Sequence, residues 1–309
     1  MTNAILKRNR YLNKIFVKIQ DFYRIAREDK NFLMMTYLAR FVFIREWVGR
    51  RRNLNLSNYS IDQSGHVLLA NDLKTCMDIM SSDGYYAGLT LAPKTVQLFL
   101  DFAFTNPCHG NRSKEDHLLI SNQEIASKDF KDSPYQVASY SSSIEDFEGI
   151  LELKNDPVIL ELARQYIGRE PVYYRSELLW TFPENPLSET IYTQFFHCDI
   201  NDYRNLKFFF YLTDVDSDCG PHSYIKGSNK RRSLLHQTQG GLIRPAQEAE
   251  FIRFYGADQI VNICGLVGSG FMGDPYCLHR GGSPKKNARL LLQIEFGSRL
   301  YKSCYSHLK

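Results

Sequence analysis

Five segments in the second half of the chain carry the apolar and aromatic patterns typical of β-strands. They are Val172 to Phe182, Ile191 to Asp199, Lys207 to Val215, Gln259 to Cys264 and Arg289 to Phe296. Turn-forming Pro, Gly, Asn and Asp residues separate them. Because successive strands follow each other without a helical pattern between them, the sequence predicts an antiparallel sandwich or barrel.

Helical patterns precede this β-rich region. Apolar residues recur at three-to-four spacing from Asn13 to about Glu46, and a second helix is predicted after Pro93, through Ala103. A third begins at Asp156-Pro157 and stops at Gly168, with Asp as the N-cap. The predicted fold class is therefore mainly β with flanking α-helices.

Composition divides the chain into two predicted parts. A polar linker, residues 53–64, ends a basic helical N-terminal extension over residues 1–64. Residues 65–309 form the main domain, with helical support over 65–170 and the β core over about 171–300. A chain of 309 residues can bury a sizeable core in this way.

Charge is concentrated at the start of the chain. Residues 1–52 hold 13 Lys and Arg against 4 Asp and Glu, although the whole chain has a net charge of only +4. An amphipathic helix with its charges in water explains this pattern, and a peripheral contact with a membrane or a partner protein stays open as an alternative. No nucleic-acid partner is expected.

The cysteines and the hydropathy indicate the compartment. Seven Cys residues include no Cys-x-x-Cys pair, which argues against a disulfide framework and favours a reducing, cytoplasmic location. The most apolar early run, residues 31–48, contains Arg40 and Arg45, so no transmembrane segment is predicted.

The first candidate site is His197-Cys198-Asp199. On a strand, alternate side chains project to the same side, so His197 and Asp199 can contact one metal ion. With a second His from elsewhere they would complete a two-His-one-carboxylate triad, the usual holder of catalytic non-haem iron.

Two further residues stand out downstream. His279 precedes Arg280-Gly281-Gly282, where small residues would let a ligand approach the backbone. Arg289 opens an alternating strand. Periodicity alone places its side chain in water, whereas a barrel interior holding a carboxylate would also suit it.

The chain resembles the phytanoyl-CoA dioxygenase family in an ordered set of motifs. They are Gln194 to Asp199, Lys207 to Val215, Gly220-Pro221-His222, Ile225 to Ser228, and His279-Arg280-Gly281 with Arg289 ten residues on. The resemblance covers residues 156–297 well and residues 65–155 loosely, and it hardly includes the basic N-terminus.

This resemblance implies a double-stranded β-helix, a cupin-like jelly roll, that uses Fe(II) and 2-oxoglutarate. By the resemblance, His197, Asp199 and His279 would be the catalytic metal ligands, and Arg289 would bind the distal carboxylate of 2-oxoglutarate. The expected reaction consumes O2, releases succinate and CO2, and hydroxylates an unactivated C–H bond of a small-molecule or acyl substrate.

Halogenating relatives replace the metal-binding carboxylate with a small residue, and this chain keeps Asp199. Hydroxylation is therefore preferred, with desaturation or cyclisation open. The alternative function is a cupin-like isomerase or sensor that binds metal without oxygen chemistry. One departure concerns the cosubstrate: some members have a hydroxyl residue two positions after the distal His, where this chain has Gly281 and, nearby, Ser283.

Other motifs are interpreted as structural. Gly268-Ser269-Gly270-Phe271-Met272-Gly273 matches a dinucleotide-binding pattern, but Asp274-Pro275 follows it without helical periodicity. We interpret these glycines as turn-forming residues between strands. His109 and His117 are interpreted as solvated loop residues.

Overall fold

The computed structural model describes residues 27–50, 65–113, 115–121, 135–140, 143–183, 194–238, 242–243 and 245–301. Its helices are Lys30–Leu38, Val42–Arg50, Leu73–Asp83, Pro93–Thr105, Glu148–Leu153, Pro157–Ile167, Leu234–Thr238 and Pro245–Tyr255, with a 3-10 turn at Ala257–Gln259. Its strands are β1 (Val67–Leu69), β2 (Tyr85–Leu91), β3 (Cys108–Gly110), β4 (His117–Leu118), β5 (Val137–Ser139), β6 (Val172–Thr181), β7 (Leu206–Tyr211), β8 (His222–Ile225), β9 (Ile260–Ile263), β10 (Ser269–Gly273), β11 (His279–Gly281) and β12 (Arg289–Gly297).

Two antiparallel sheets face each other. The larger has nine strands in the order β1-β2-β10-β7-β12-β6-β5-β3-β4, and the smaller has the order β11-β8-β9. From β7 onward the chain passes to β8 and β9 in the smaller sheet, returns to β10, and then visits β11 and β12. This alternation between two sheets is the strand order of a jelly roll.

The central strand β12 shows how the sheets divide the interior. One of its faces carries Leu290, Leu292, Ile294 and Phe296, which share the main apolar core with the helix Pro157–Ile167. The other face carries Arg289, Leu291 and Gln293, which line a cavity between the sheets. The larger sheet therefore has a helix-covered outer face and an inner face that surrounds the cavity.

Four predicted strands are confirmed within a few residues, as β6, β7, β9 and β12. The strand predicted from Ile191 to Asp199 is wrong over residues 194–199, where only His197 makes isolated bridges; residues 184–193 lie outside the described residues. Phe196 supplied part of the strand pattern, but its ring is buried in a separate cluster with Tyr276 and Leu278. Its apolar character therefore reflects tertiary packing.

The expectation that no helix interrupts the strands is also wrong. Leu234–Thr238 and Pro245–Tyr255 lie between β8 and β9. Phe251 and Tyr255 pack one helical turn apart against Ile225 of β8. Because polar residues surround this short apolar stripe in the sequence, periodicity did not predict the helix.

The N-terminal helix predicted from Asn13 to about Glu46 is interrupted. Within the described residues a turn at 39–41 separates Lys30–Leu38 from Val42–Arg50. Residues 1–26 and 51–64 lie outside the described residues, so the helical extension and its boundary at residue 64 stay predictions. None of the described helices has the length and apolarity needed to cross a bilayer.

The glycine motif at 268–273 forms a turn and a strand. Gly268 has φ +89° in the turn, whereas Gly270 and Gly273 lie inside β10. A Cβ at Gly270 would lie 2.4 Å from Cδ1 of Phe210, and one at Gly273 would lie 2.1 Å from the hydroxyl of Tyr224. The turn interpretation is therefore correct for Gly268, and the other two glycines allow aromatic rings to lie over the strand.

The buried side chain of Asp156 connects the helix Pro157–Ile167 to β1 through hydrogen bonds. Its Oδ1 accepts hydrogen bonds from the amides of Val158 and Ile159, at 2.9 and 3.2 Å. Its Oδ2 accepts from the amides of His66 and Val67, at 2.7 and 3.2 Å. One carboxylate thus satisfies backbone donors of two elements.

We expect Asp156→Ala to lower the free energy of unfolding by about 2–4 kcal/mol, because it removes a helix cap and leaves buried amides unpaired. Urea denaturation measures this change. Asp72 caps the exposed start of Leu73–Asp83 alone, so Asp72→Ala is the matched control and should cost less. Equal losses in the two variants would contradict a role for Asp156 in holding β1.

Candidate metal centre

Backbone hydrogen bonds join the two segments that carry His197 and His279. Each of these residues donates its amide to the carbonyl oxygen of the other, at 2.9 Å in both directions. The amide of Asp199 donates to the carbonyl of Pro275 at 2.8 Å. The short segment that replaces the predicted strand is therefore fixed against the segment that leads into β11.

The imidazole rings are oriented by their own chain. Nδ1 of His197 lies 2.8 Å from the carbonyl oxygen of Phe195, and Nδ1 of His279 lies 2.8 Å from that of Cys277. A carbonyl only accepts, so each Nδ1 carries a proton, and in the neutral form of each ring Nε2 keeps a lone pair for a ligand. Burial lowers the pKa of His279 to about 3, which keeps this ring neutral.

The side chains of His197, Asp199 and His279 bring their donor atoms close together. Nε2 of His197 lies 3.9 Å from Oδ1 of Asp199, and Nε2 of His279 lies 3.8 Å from Oδ2 of the same carboxylate. One donor atom from each of the three residues lies within 4.8 Å of the others. This is the only such group of three or more His, Cys, Asp or Glu residues in the described part of the chain.

Lys207, at the start of β7, contacts the carboxylate of this group. Its Nζ donates to Oδ2 of Asp199 at 2.5 Å, and its side chain is only 6% exposed. Burial alone would raise the pKa of Asp199, but the Lys207 cation holds it well below its ordinary value. The carboxylate is therefore ionised and held in one orientation.

The three donors open into a cavity of about 190 Å³ between the two sheets. Its walls come from both sheets and from the segments between them. The lining residues are Arg112, Val137, Arg175, Glu177, Leu179, Thr181, Gln194, His197, Asp199, Lys207, Phe209, His222, His279, Gly281, Arg289, Leu291 and Gln293.

Arg289 lies inside this cavity and is 3% exposed. Its Nη2 donates to the hydroxyl of Thr181 at 3.2 Å, while Nε and Nη1 have no hydrogen-bond partner among the described residues. Burial lowers the pKa of the guanidinium, which is an expensive group to bury without a counter-ion. The buried position corrects the interpretation from periodicity, which placed Arg289 in water.

The structure adds Lys207, His222 and Thr181 to the residues predicted from sequence. Lys207 had a visible signal, since it is a lone charge at the start of the apolar run Phe208-Phe209-Phe210. His222 belongs to the Gly-Pro-His motif, but nothing in the sequence assigns it a role. Thr181 has no sequence signal, because only its pairing with Arg289 across the sheet places it there.

Of the two residues considered for the cosubstrate, Gly281 lines the cavity, and Ser283 is not among its lining residues. His109 and His117 have ring centroids 4.7 Å apart on the neighbouring strands β3 and β4. Neither residue contributes a donor atom to the three-residue group. His117 is exposed, as predicted, whereas His109 is partly buried on a strand.

Replacing Lys207 with methionine should make metal binding more sensitive to acid. Without the cation the pKa of Asp199 rises, so protons compete with the metal at higher pH. The ratio of the Co(II) dissociation constants at pH 5 and pH 7.5, measured by calorimetry, should then be larger in Lys207→Met than in the wild type. Lys226, paired with Asp83 outside the cavity, supplies the control Lys226→Met. Parallel pH profiles for all three proteins would contradict this role.

The sequence matches no protein-family model and no curated protein. Solved structures do match it by fold. The non-haem α-ketoglutarate-dependent epimerase SnoN of nogalamycin biosynthesis is 15% identical, over 73% of this chain and 83% of that one, with a TM-score of 0.52. HygX from Streptomyces hygroscopicus, with nickel and 2-oxoglutarate bound, is 13% identical over 74% and 87%, with a TM-score of 0.51.

The α-ketoglutarate-dependent carbocyclase SnoK, also of nogalamycin biosynthesis, is 17% identical, over 78% of this chain and 92% of that one, with a TM-score of 0.50. At these identities the likeness establishes a shared fold. The chain therefore shares its fold with these proteins, and a shared fold does not by itself fix the chemistry of a site.

Proposed function

We propose that this protein is an Fe(II)- and 2-oxoglutarate-dependent oxygenase of the phytanoyl-CoA dioxygenase family. It hydroxylates a C–H bond of a small-molecule or acyl substrate with O2 and releases succinate and CO2. The observation that carries the proposal is the placement, in one cavity, of a two-His-one-carboxylate group and a buried arginine, two of whose nitrogens have no partner among the described residues.

The donor set fits iron. Two imidazole nitrogens and one carboxylate are the donor set typical of non-haem Fe(II) oxygenases, and such a set would leave positions on the ion open for other ligands. His197, Asp199 and His279 would hold the ion, which supplies the site where the 2-oxo acid and O2 react. Lys207 would keep Asp199 ionised and oriented.

The arginine fits a dicarboxylate. Nε and Nη1 of Arg289 are buried and lack partners in the described part of the chain, so a carboxylate reaching them would satisfy both donors and the charge. A 2-oxo acid with a second carboxylate can contact the metal and Arg289 together. A metal-binding isomerase or sensor needs no such counter-charge, and this favours the oxygenase over that alternative.

The reaction type follows from the same residues. Halogenating relatives replace the metal-binding carboxylate with a small residue, and this chain keeps Asp199. We therefore infer hydroxylation and not halogenation. The proteins of similar fold include an α-ketoglutarate-dependent epimerase and an α-ketoglutarate-dependent carbocyclase, so this fold also supports reactions other than hydroxylation. We also infer a peripheral contact of residues 1–52 with a membrane or partner, supported by the exposed Met34, Phe43 and Trp47.

Two measurements test the proposal. Under anaerobic conditions, Fe(II) and 2-oxoglutarate should give the wild type a weak visible charge-transfer band. In air, the same mixture should consume O2 and form succinate in equal amounts, faster when a substrate is present. Metal binding without the band and without succinate would leave a non-oxygenase metal protein as the correct description.

A further inference from the structure

A glycine and a histidine stand opposite each other beside the metal centre. Gly281 of β11 pairs directly with His222 of β8. Opposed residues of an antiparallel pair project to the same face of a sheet, as do residues two apart on one strand. His222 therefore faces the same side as His279, which lies two residues before Gly281. Because Gly281 has no side chain, His222 is the residue of this pair that extends into the cavity.

The ring of His222 is held among aromatic residues. Its centroid lies 4.7 Å from that of Phe209, 5.1 Å from Tyr224 and 5.3 Å from Phe271. It stacks on His279 at 5.5 Å, with 15° between the ring planes. These contacts, together with the bond from its amide to the hydroxyl of Tyr211 at 3.0 Å, fix the position of the imidazole.

Packing does not satisfy the polar atoms of this ring. His222 is 5% exposed, yet neither Nδ1 nor Nε2 has a hydrogen-bond partner among the described residues. Burying an imidazole in this state costs free energy that a phenylalanine of similar shape would not cost. Since the ring lines the cavity, a bound molecule can supply the missing partner.

The same cavity contains the unpartnered nitrogens of Arg289. Tyr211, which holds the backbone of His222, pairs with Leu291 of β12, two residues from Arg289 on the same face. His222 is also outside the group of three donors, so its nitrogens are not placed as a fourth metal ligand. The imidazole and the guanidinium are thus both available to a molecule that extends from the metal toward Arg289.

We propose that His222 is a second cosubstrate-binding residue, whose ring N–H donates a hydrogen bond to the carboxylate of 2-oxoglutarate that pairs with Arg289. The inference rests on the proposed function. It assigns to His222 a contact that Gly281 cannot make, and it gives the Gly-Pro-His segment a role in binding.

The experiment titrates 2-oxoglutarate into the Fe(II)-loaded, full-length protein without O2 and follows the charge-transfer band. We expect His222→Phe to raise the dissociation constant of 2-oxoglutarate on the order of tenfold or more, the cost of one lost bond to a charged group. His222→Gln, which keeps an N–H donor, should recover most of the affinity. The matched control is His236→Phe, since His236 is equally buried but stacks on Phe251 outside the cavity.

A second ligand identifies the carboxylate. 2-Oxopentanoate has the 2-oxo acid group but no distal carboxylate, so the wild type and His222→Phe should bind it equally. An equal loss for both ligands would overturn the assignment to the distal carboxylate. Unchanged 2-oxoglutarate affinity in His222→Phe and His222→Gln would overturn the role of His222 while leaving the proposed function intact. A wild type that binds no 2-oxoglutarate would overturn both.

If His222→Phe does not fold, as judged by circular dichroism, His222→Gln carries the test with both ligands. In that case a 2-oxoglutarate affinity close to that of the wild type, together with weak binding by His222→Ala, supports the hydrogen bond. Equal affinity in the Gln and Ala variants overturns it.

Discussion

Substitution of His197 by alanine should abolish the charge-transfer band that Fe(II) and 2-oxoglutarate form in the wild type, and with it all succinate formation. The physical reason is that the variant keeps only one imidazole and one carboxylate of the three donors that lie within 4.8 Å of one another. Loss of a contact that merely supports a metal ligand typically costs about 10–100-fold in affinity, so loss of a ligand itself should cost more.

This prediction is checked by anaerobic absorption spectroscopy and by direct calorimetric titration with Fe(II) or Co(II). His117→Ala is a suitable control, because His117 is an exposed histidine on β4 that does not line the cavity. It should keep the band at full strength. A full band in His197→Ala would mean that the metal binds elsewhere, and the site described above would then be wrong.

Substitution of Arg289 by methionine should leave metal binding intact and weaken 2-oxoglutarate binding by roughly a hundredfold or more, because truncating one partner of a buried charge pair costs about 2–5 kcal/mol. Arg289→Lys keeps the charge but loses the planar fork, so it should recover only part of the affinity. Titration of each Fe(II)-loaded variant with 2-oxoglutarate measures the effect.

Arg289→Met should be at least as stable as the wild type when no ligand is bound. Arg289 is buried and donates to the hydroxyl of Thr181, while its Nε and Nη1 have no hydrogen-bond partner in the described part of the chain. An apolar side chain of similar length removes this charge from the interior. Thermal unfolding of the metal-free proteins tests this. The control for both measurements is Arg164→Met. It breaks an ion pair with Glu161 on the helix Pro157–Ile167, and neither residue lines the cavity. Tight 2-oxoglutarate binding by Arg289→Met would contradict the assignment.

Residues of the site differ in how far sequence could identify them. The spacing of His197 and Asp199 predicts a shared metal ion, but the strand geometry on which that prediction rests is wrong, because His197 makes only isolated bridges. Their convergence comes from backbone bonds to the segment around His279, which lies 82 positions away in the sequence and which periodicity cannot connect to them.

Arg289 illustrates the limit of periodicity more clearly. Alternation along β12 correctly predicts one apolar face and one mixed face. It also predicts that the mixed face is exposed to solvent. In the structure that face looks into the cavity, since the smaller sheet covers it. Which of two faces meets solvent is a property of what packs against the strand, and no window of local sequence contains that information.

The sequence by itself determined the class of fold, the positions of β6, β7, β9 and β12, and the cap of the helix Pro157–Ile167, because these depend on local periodicity and local hydrogen bonds. Tertiary structure alone decided that Lys207 contacts Asp199 and that His222 faces the candidate metal centre opposite Gly281. It also decided that Arg289 is buried, with two nitrogens that lack partners among the described residues. Those contacts join strands distant in sequence, and their energies depend on burial, which exists only once the two sheets have closed around the cavity.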